Sequence, residues 1–473
     1  MEKGYTQKLA DFLAGVSYEQ IPQSALDQAK IMTLHTVGAA IASMGLENAK
    51  NPIALAMEVG GKPTSTVWGR NDGTKVAAQE AAFANGTLSD LMDWEDCSWT
   101  GHGSAGLIPV AMALGEQEHI SGKDYLTAVV TGFEGYHRIA MAVQPSLDYL
   151  RSGIGWGLVS WQIFAASIPA GKIKKFNGIQ FNQLFGASQY NTVVPTNRHS
   201  EGNRKSDVYH YCHGFCARNG IVAANVTEKG FSNLDNCFEG NKSAYWQFVS
   251  DRMDYEWLTR GLGEEWYIKS TYFKHWPANM WIQTSLEALD ILYRKHPFTL
   301  GEVDKIRVSP TMEMICANYA DSSRTALDSQ FSAGYCLTSY ILDPTHTKGA
   351  HWFTEDKLND PALIEFADTR YEFFGPVKTP LGCFEEFRTG SFPDATVEVL
   401  LSDGTVLSES CRYPKGHPRN NFTLEEECQH FYDCCKPYMP EAQIRMIQDK
   451  VMHLENLEDI CELAEQLVIR EEA

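Results

Sequence analysis

The chain has 473 residues and a mass of 53.0 kDa, a length that predicts two domains, one of them assembled from distant segments. Hydrophobic residues make up 44% and charged residues 21%, so a large buried core is possible and a disordered chain is excluded. Sixty acidic against forty basic residues give a formal net charge of −20. Such an acidic surface repels phosphate backbones and anionic lipids, which predicts neither nucleic acid nor membrane as a partner.

The N-terminal sequence and the cysteines indicate the compartment. MEKGYTQKLADFLAGVSYEQ lacks the basic start, the apolar stretch and the cleavage site of a secretory signal. The longest mostly apolar stretch, from Ile31 to Leu46, is shorter than the roughly 20 residues of a membrane span and is predicted to be a buried helix. The 12 cysteines are scattered without CxxC pairs. This pattern favours reduced thiols and predicts a cytoplasmic protein.

Residues 1 to about 270 are predicted to be mostly helical. Apolar residues recur at spacings of three and four in LADFLAGV, LDQAKIMTLHTVGAAIA and AAQEAAFANGTLSDLMDW. The steps Ser121-Gly122 and Asn177-Gly178 interrupt these patterns. Each of them predicts a helix terminus.

The pattern changes after about residue 270. DKIRVSP predicts a short strand, and DATVEVLLSDGTVLSES predicts two strands joined by a turn at Asp403-Gly404. The tail from Thr423 to Val468 is predicted to be helical, with Thr423 as its cap and Glu426 three residues further on. The sequence therefore predicts a mainly α protein. Its large helical domain comprises residues 1–270 and 408–473, and a smaller α+β lid domain comprises residues 271–407.

The first candidate for chemistry is the stretch from Ala81 to Glu116. A predicted helix carries four acidic residues into a loop rich in Gly, Ser and Thr that bears His102, and an apolar helix follows. These acids are Asp90, Asp93, Glu95 and Asp96. Because an imidazole titrates near neutrality, His102 can take and return a proton, and the small residues beside it leave room for a ligand. The alternative is that the acids cap the helix and that His102 is a surface loop residue.

The second candidate is the run YHYCHGFCARNG, which starts at Tyr209. Two histidines and two cysteines in the spacing H-x-C-H-x-x-C suggest a zinc site, but the paired knuckles of structural zinc sites are missing. We therefore predict no metal here. The favoured interpretation is a helix packed by Cys and Phe, whose first polar side chains face a pocket.

The third candidate is TYFKHWPANMW, in which Lys274 and His275 lie just before a proline. That position predicts the first turn of a helix. A lysine between Phe273 and Trp276 is partly desolvated, so it either binds a carboxylate strongly or, if unpaired, has a depressed pKa. The alternative is a lysine whose stem lies over an aromatic surface with its ammonium in water.

Other motifs are absent or lack their context. GHGSAG matches GxGxxG, but it follows an acidic helix rather than a strand, which argues against a dinucleotide site. The sequence contains no GxxxxGK[ST], no GxSxG and no HExxH. Nucleotide cofactors and the common hydrolase nucleophiles therefore have no support.

The run FANGTLSDLMDWED…GHGSAGLIPVAMALGE resembles the MmgE/PrpD family, which includes 2-methylcitrate dehydratases, cis-aconitate decarboxylases and iminodisuccinate epimerases. The resemblance continues in order through GFEGYHRIA, HGFCARNG, YFKHWPANMW, DSQFSAGYCLTSYIL, LLSDGTVLSES and YPKGHPRNN. It implies a helical domain built from both chain ends with an inserted lid, a homodimer, a pocket between the domains and no metal or organic cofactor. It also implies that Asp93 is an active-site acid, and that His102 and Lys274 are the pocket histidine and lysine.

The sequence departs from the family pattern at four positions. Tyr209 stands where a second lysine is usual, Cys97 where a threonine is usual, and Gly157, after Trp156, and Asn279 where histidines are usual. The loss of one cation and two imidazoles removes charge that would hold a tricarboxylate. Candidates to compensate for the missing groups are His210, His213, His275 and the basic stretch Arg198-His199 to Arg204-Lys205. Trp94, Cys97 and Asn279 are also predicted to bind substrate, as are these three histidines.

The resemblance predicts a cofactor-free lyase that eliminates water from a small hydroxy-carboxylate after abstracting a proton next to a carboxylate. Lys274 would meet the developing negative charge, and His102, or else Tyr209, would move the proton. Asp93 would orient His102 or a neighbouring donor, or carry a proton itself. The alternatives are an isomerase or epimerase of a small dicarboxylate, a decarboxylase, and a catalytically silent dimeric binding protein.

Overall fold

The structure, a computed structural model, describes most of the chain from residue 4 to residue 469. The residues outside the description are 1–3, 99, 147, 150–158, 193–204, 241–243, 313–318, 344–348, 350, 380–381, 384, 387–388, 392–393 and 470–473. The fold is mainly α with small sheets, as predicted. The domain boundaries at residues 270 and 408 stay a prediction.

The first half of the chain forms ten helices within its described residues. They are α1 Tyr5–Gly15, α2 Gln23–Ala42, α3 Lys50–Val59, α4 Ala78–Asp90, α5 Gly103–Glu118, α6 Gly122–Ala142, α7 Val159–Ile173, α8 Gly178–Gln189, α9 Val208–Glu228 and α10 Glu256–Thr259. Ser121 and Asn177 accept hydrogen bonds from the backbone as the N-caps of α6 and α8, which confirms both predicted termini. Helices α2 and α5 are apolar and buried nearly all round, so they lie in the core.

Small residues let the central helices pack closely. A Cβ atom built on Gly220 of α9 would lie only 2.4 Å from the Cβ of Ala166 on α7. A larger side chain at this position would push the two helices apart. The packing of α9 matters because its N-terminal residues contact the candidate site.

The second half alternates short helices with strands. The helices are α11 Gln283–Lys295, α12 Ala326–Gln330, α13 Ala333–Leu342, α14 Glu355–Leu358, α15 Pro361–Thr369, α16 Leu424–Cys435, α17 Glu441–Met452 and α18 Cys461–Ala464. The strands of the whole chain are β1 Gly69–Arg70, β2 Val303–Ser309, β3 Tyr371–Phe373, β4 Ala395–Leu401, β5 Val406–Cys411 and β6 Val468–Ile469. Thr423 and Glu426 form the predicted capping box of α16.

One four-stranded sheet has the order β3-β2-β4-β5. Strand β2 is parallel to β3 and antiparallel to β4, with Ile306 opposite Val399 and Val308 opposite Val397. These valines and the isoleucine are buried, because alternate residues of both strands face the core. The predicted hairpin of β4 and β5 is confirmed, and Gly404 in its turn adopts a positive φ of 89°.

The two ends of the chain meet in the helical part. Strand β6, near the C-terminus, pairs in parallel with β1, and α16 packs against α2. This contact brings Glu427 of α16 next to His35 of α2, directly behind the candidate site.

Two sequence predictions about local structure are wrong. Helix α4 ends at Asp90, so the three acids that follow lie in a turn rather than on the helix. Lys274 follows an isolated β-bridge at Phe273, and His275 lies in a bend. A short 3-10 turn comes later, at Met280–Ile282, and α11 begins only at Gln283. In both places, backbone hydrogen bonds between the turn after Asp90 and the segment around Lys274 replace helical hydrogen bonds.

Among the described helices, no single one has the length and apolar character needed to cross a bilayer. Only the pair Gln23–Gly45 and Glu47–Val59, bent by 113°, reaches that length and composition together.

Candidate active site

The acidic turn after α4 is fixed by its backbone. The Asp93 N–H donates to the carbonyl of Asp90 over 2.8 Å, and Asp93 has a left-handed φ of 48°. Residues with a Cβ rarely adopt this conformation, and it persists only where the surroundings hold it. The turn directs the buried carboxylates of Asp93 and Glu95 to one point.

The Lys274 segment lies along this turn like a short antiparallel strand. The Cys97 N–H donates to the Tyr272 carbonyl over 2.9 Å, and the Lys274 N–H donates to the Glu95 carbonyl over 3.3 Å. This backbone pairing, between residues nearly 180 positions apart in the chain, places the lysine side chain against the two acids.

The ammonium of Lys274 forms two buried ion pairs. Its Nζ lies 2.5 Å from Asp93 Oδ1 and 2.6 Å from Glu95 Oε1, and all three side chains have an exposed fraction of 0%. Burial opposes the charge on Lys274, but Asp93 and Glu95 outweigh that effect and raise its pKa above the usual value. Of the two states that the sequence allows for this lysine, the paired one is therefore present.

The loop before α5 orients His102. Ser98 and Gly101 exchange backbone hydrogen bonds, and Gly101 has a φ of 105°, which favours glycine. The Thr100 carbonyl accepts hydrogen bonds from Trp161 Nε1, over 2.8 Å, and from the Tyr136 hydroxyl. His102 is thereby fixed as the N-cap residue of α5, and it is buried rather than exposed on a surface loop.

The two ring nitrogens of His102 have different partners. Nδ1 is hydrogen-bonded to Glu95 Oε1, and Nε2 lies 3.3 Å from the Tyr209 hydroxyl. Burial opposes protonation of the ring, and so does Lys274, but Cys97 and Glu95 outweigh both and raise the pKa of His102 well above its usual value. The raised pKa favours the protonated form of His102, with Glu95 next to its Nδ1 as the negative partner.

Glu95 joins the lysine and the histidine. Its Oε1 contacts both Lys274 Nζ and His102 Nδ1. Burial opposes ionisation of Glu95, but the charges of Lys274 and His102 prevail and hold its pKa below the usual range. A single carboxylate thus holds an ammonium and an imidazolium side by side.

Tyr209 is the second residue of α9 and faces the same cluster. Its hydroxyl lies 3.4 Å from Asp93 Oδ1, so it contacts both Asp93 and His102. Burial, followed by the negative charges of Asp93, Asp90 and Glu95, raises the pKa of Tyr209 well above its usual value. The phenol keeps its proton and acts as a hydrogen-bond donor.

The histidines of α9 meet Asp90 rather than the lysine. His210 Nδ1 lies 2.7 Å from Asp90 Oδ2, and His213 Nε2 lies 3.4 Å from Asp90 Oδ1. Burial lowers the pKa of His210 to about 3 and raises that of Asp90 well above its usual range. His210 is therefore neutral and adds no positive charge to the site.

The other predicted substrate-binding residues lie at different distances from this cluster. Cys97 Sγ is 3.2 Å from Met280 Sδ and 4.0 Å from His102 Nε2, so it borders the site. The ring of Trp94 packs edge-on against His430, on the far side of the turn. His275 pairs with Glu287 over 2.8 Å, and the Asn279 side chain accepts from the Trp281 N–H as a helix cap. These last three side chains have structural partners outside the cluster.

Part of the predicted basic stretch lies outside the described residues, namely Arg198, His199 and Arg204, as do Trp156 and Gly157. The ammonium of Lys205 lies 4.9 Å from the ring of Phe331, which in turn meets the ring of Tyr209 edge-on at 5.2 Å. Lys205 is thus separated from Tyr209 by one aromatic ring.

A cavity of about 550 Å³ lies beside α9 and reaches His210. Lys50, Arg324 and Glu355 line it together with Asp207. The lining thus contains both positively and negatively charged side chains. His210 lines the cavity and also contacts Asp90.

Three groups of described residues could hold a metal ion by the spacing of their ligand atoms. They are Asp90–Glu95–His102, His35–Glu427–His430 and His119–Asp459–Cys461. In the first group, Glu95 Oε1 already contacts Lys274 and His102. The Lys274 ammonium therefore supplies the positive charge that a metal ion would bring to this carboxylate. The H-x-C-H-x-x-C run forms no such group within the part of the chain that the structure describes.

Glu95 is the central residue that sequence reasoning missed as a site residue. The available signal was the density of acids in MDWED, within a run that is otherwise apolar. Spacing could not distinguish which acid meets which base, because that depends on the left-handed turn at Asp93.

The comparisons with known proteins place the chain in a family. Residues 7–258 match the family model for the MmgE/PrpD N-terminal domain, and residues 276–456 match that for the MmgE/PrpD C-terminal domain. The chain therefore belongs to the MmgE/PrpD family, as predicted, and it is an enzyme of that family.

The relatives resemble it over nearly their whole length. The cis-aconitate decarboxylase of Aspergillus terreus is 22% identical over 502 residues, covering 98% of this chain and 96% of that protein. The cis-aconitate decarboxylases of Mus musculus and Homo sapiens are each 29% identical, covering 97% of this chain and 92% and 93% of their own lengths. These relatives support a lyase-type or decarboxylase activity in general terms.

Proposed function

We propose that this enzyme is a lyase for a small organic acid with more than one carboxylate, and that it eliminates water after removing a proton next to a carboxylate. The observation that carries the proposal is the orientation of His102. Glu95 holds its Nδ1, which leaves Nε2 directed at the Tyr209 hydroxyl, beside the pair of Asp93 and Lys274. A carboxylate that orients an imidazole in this way prepares the other nitrogen for proton transfer.

His102 is the proposed acid. Because its pKa is raised, it carries a proton at neutral pH that Nε2 can give to a departing hydroxyl group, which leaves as water. A positioned acid of this kind contributes about 10²- to 10⁴-fold to the rate.

Asp93 is the proposed base. Its Oδ1 contacts Lys274, while its Oδ2 has no hydrogen-bond partner among the described residues and is buried. Burial raises the pKa of Asp93, an effect that Lys274 only partly offsets, and this makes it a stronger base than an ordinary aspartate. The C–H electron pair would form the double bond while the C–O bond breaks. Tyr209, whose pKa is raised, is the poorer base and instead donates to the substrate.

The charges of the four central side chains are balanced. Lys274 and His102 are balanced by Asp93 and Glu95, so the pocket offers less net positive charge than two cations alone. Lys274 and Tyr209 would stabilise the enolate-like charge that develops at the substrate carboxylate. The chain thus supplies both the acid and the cation, and the proposed reaction requires no added cofactor.

Decarboxylation is the second candidate, favoured by the names of the relatives. In that reaction a carboxylate leaves as carbon dioxide, its bonding electrons stay on carbon, and His102 protonates that carbon. This route needs the acid but no base, so it would tolerate loss of Asp93 better than dehydration does.

We also propose that the enzyme is a homodimer of the cytoplasm with a small carboxylate as its only ligand, a proposal that rests on family likeness and on the acidic surface. Light scattering after size-exclusion chromatography tests the proposed dimer. A mass near 106 kDa, about twice 53.0 kDa, is expected, and a mass near 53 kDa at micromolar concentration would contradict the dimer.

The reaction is tested by incubating the enzyme with a panel of acids, including cis-aconitate, citrate-type hydroxy-acids and 2-substituted succinates, in heavy water and following them by NMR. New vinyl signals mark dehydration, and bicarbonate release marks decarboxylation. A mirror-image product without mass loss indicates an epimerase instead. If no acid in the panel changes, in spite of ligand binding, the lyase proposal is wrong and the silent-protein alternative gains support.

A further inference from the structure

Behind the candidate site, a histidine of α2 and a glutamate of α16 meet the turn that carries Asp93 and Glu95. We propose that His35, held by Glu427, is a positioning residue that fixes the peptide between Asp93 and Glu95 and so directs both carboxylates at Lys274. The inference rests on the proposed function insofar as these carboxylates belong to the active site. Nothing in the sequence pattern marked either residue as functional.

The two nitrogens of His35 are both engaged. Its Nε2 lies 2.9 Å from the carbonyl oxygen of Trp94, and because a carbonyl can only accept, Nε2 carries the proton. Its Nδ1 lies 3.1 and 3.2 Å from the two carboxylate oxygens of Glu427. Both side chains have an exposed fraction of 0%, so water does not compete for these contacts.

The bond to Trp94 reaches the site through one peptide unit. Trp94 lies between Asp93 and Glu95, and its carbonyl belongs to the peptide that leads into Glu95. When that carbonyl is held, the rotation of the peptide plane is fixed, and with it the direction in which Glu95 leaves the backbone. Glu95 is the residue that contacts both Lys274 and His102.

The backbone of Asp93 supplies an independent argument. Its φ of 48° is unfavourable for a residue with a Cβ, and such conformations persist where the surrounding structure over-determines them. On one side Asp93 is held by the carbonyl of Asp90. On the other side, the next carbonyl along the chain is the one that His35 holds. His35 therefore holds the C-terminal side of the turn in which Asp93 has its unfavourable φ angle.

The ring of His35 also contacts the second segment of the site. It packs against the ring of Phe273, the neighbour of Lys274, at 4.9 Å between centroids. His430 of α16 stacks on the same ring at 4.8 Å, with an angle of 12° between the rings. His35 thus contacts the acidic turn and the lysine segment, and α16 holds it in place.

A metal ion is the competing explanation for a cluster of His35, Glu427 and His430. An imidazole binds a metal through a lone pair in the plane of its ring. Two rings stacked nearly parallel keep those lone pairs in two separate, nearly parallel planes, and one ion cannot lie in both planes. The arrangement instead fits a hydrogen-bonded pair with a stacked neighbour.

The test compares two amides in place of the imidazole. An asparagine amide occupies roughly the position of Nδ1 and can keep the contact to Glu427, whereas a glutamine amide reaches the position of Nε2 and can donate to the Trp94 carbonyl. His35→Asn and His35→Gln are made in the full chain, with Thr33→Val as the control. Thr33 lies on the same buried helix and bonds Tyr125 and the Ala29 carbonyl, away from the site.

The readout is the titration of His102, followed by NMR of protein labelled at histidine and assigned with a His102→Gln sample. In His35→Asn the midpoint is expected to fall by about one pH unit, which corresponds to partial loss of the Glu95 contact. His35→Gln and Thr33→Val are expected to leave the midpoint within a few tenths of a unit of the wild type. Equal midpoints in all variants, or a larger shift in the glutamine variant than in the asparagine variant, would overturn the proposal.

If His35→Asn does not fold, Glu427→Gln and Glu427→Ala provide the same comparison from the other partner. The glutamine amide can still hold Nδ1, so the wild-type midpoint is expected, whereas alanine releases the ring and should lower it. Identical midpoints in these two variants would also refute the positioning role.

The readout does not depend on turnover. An enzyme that is inactive on every acid refutes the proposed reaction and leaves the effect of His35 on His102 measurable. Conversely, an active enzyme whose His102 titration is insensitive to His35 retains the proposed function and loses this inference.

Discussion

Replacing Lys274 with methionine tests the buried ion pairs at the centre of the site. The substitution keeps the length and most of the volume of the side chain. It removes the ammonium that lies 2.5 Å from Asp93 and 2.6 Å from Glu95, so that Glu95 keeps only His102 as a partner. Because all three side chains are fully buried, water cannot replace the ammonium. Removing one partner from a buried pair costs about 3–5 kcal/mol, and we expect a loss of that size in the free energy of unfolding.

The loss should depend on pH. In the wild type, the pKa of Glu95 is lowered, so its contribution to stability is present above its unfolded pKa and is lost as the pH falls through its folded pKa. The pKa of Lys274 is raised, so its contribution is complete below its unfolded pKa and is lost only as the pH rises through its folded pKa. Without the lysine, the buried carboxylates favour their neutral forms. The difference between variant and wild type is therefore largest near neutral pH and shrinks in acid.

Urea unfolding, followed by tryptophan fluorescence at about pH 7.5 and about pH 5, measures both effects. Lys450→Met is the control, because the Lys450–Glu462 pair at 3.0 Å has exposed fractions of 20% and 49%, for which a loss of about 0–1 kcal/mol is expected. Adding Asp93→Asn to Lys274→Met should recover part of the stability. A loss below about 1 kcal/mol, or the same loss at both pH values, would refute the reasoning.

Four further substitutions test other parts of the account. His102→Gln should lower kcat by about 10²- to 10⁴-fold in a folded protein, and a near-normal rate would remove His102 from the mechanism. Glu95→Gln removes the anion beside His102. At alkaline pH, kcat falls as the acid loses its proton, and this fall should move to lower pH in the variant. A fall at the same or at a higher pH than in the wild type would contradict the assignment. Tyr209→Phe should lower kcat about tenfold or more and change the free energy of unfolding by about 1 kcal/mol or less. Gly404→Ala, at φ 89°, should destabilise the hairpin by about 1 kcal/mol in thermal unfolding without changing kcat, and an unchanged Tm would argue against the turn geometry.

The sequence predicted those elements whose pattern is local. The capping box at Thr423 and the hairpin at Gly404 need only neighbouring residues to form, and both are present. The buried helix within Ile31–Leu46 follows from its apolar composition, and α2 occupies most of that stretch. The mainly α class and the family could be predicted for the same reason, because both are indicated by many short local patterns that occur in a fixed order along the chain.

The site was predictable only in part. His102, Lys274, Asp93 and Tyr209 were all named from the sequence, and the structure brings them together. What spacing could not supply was Glu95 as the contact between lysine and histidine. That contact depends on a left-handed residue and on backbone pairing between segments far apart in the chain.

Distant contacts also explain the side chains whose surroundings differ from those expected. His275 lies next to Lys274 in the sequence, yet the chain bends at His275 and its ring contacts Glu287 of α11. His210 and His213 share α9 with Tyr209, but they meet Asp90. Conversely, His35 gave no signal, because a histidine inside an apolar helix is normally a core residue with satisfied hydrogen bonds.

The protonation state of His102 tests the central claim most directly. Nitrogen chemical shifts of the protein labelled with ¹⁵N-histidine, assigned against His102→Gln and recorded near neutral pH, report whether each ring nitrogen carries a proton. We predict that both nitrogens of His102 are protonated, with Nδ1 bonded to Glu95 and Nε2 available as the acid. A neutral His102 with one bare nitrogen at that pH would contradict the assignment of His102 as the proton donor.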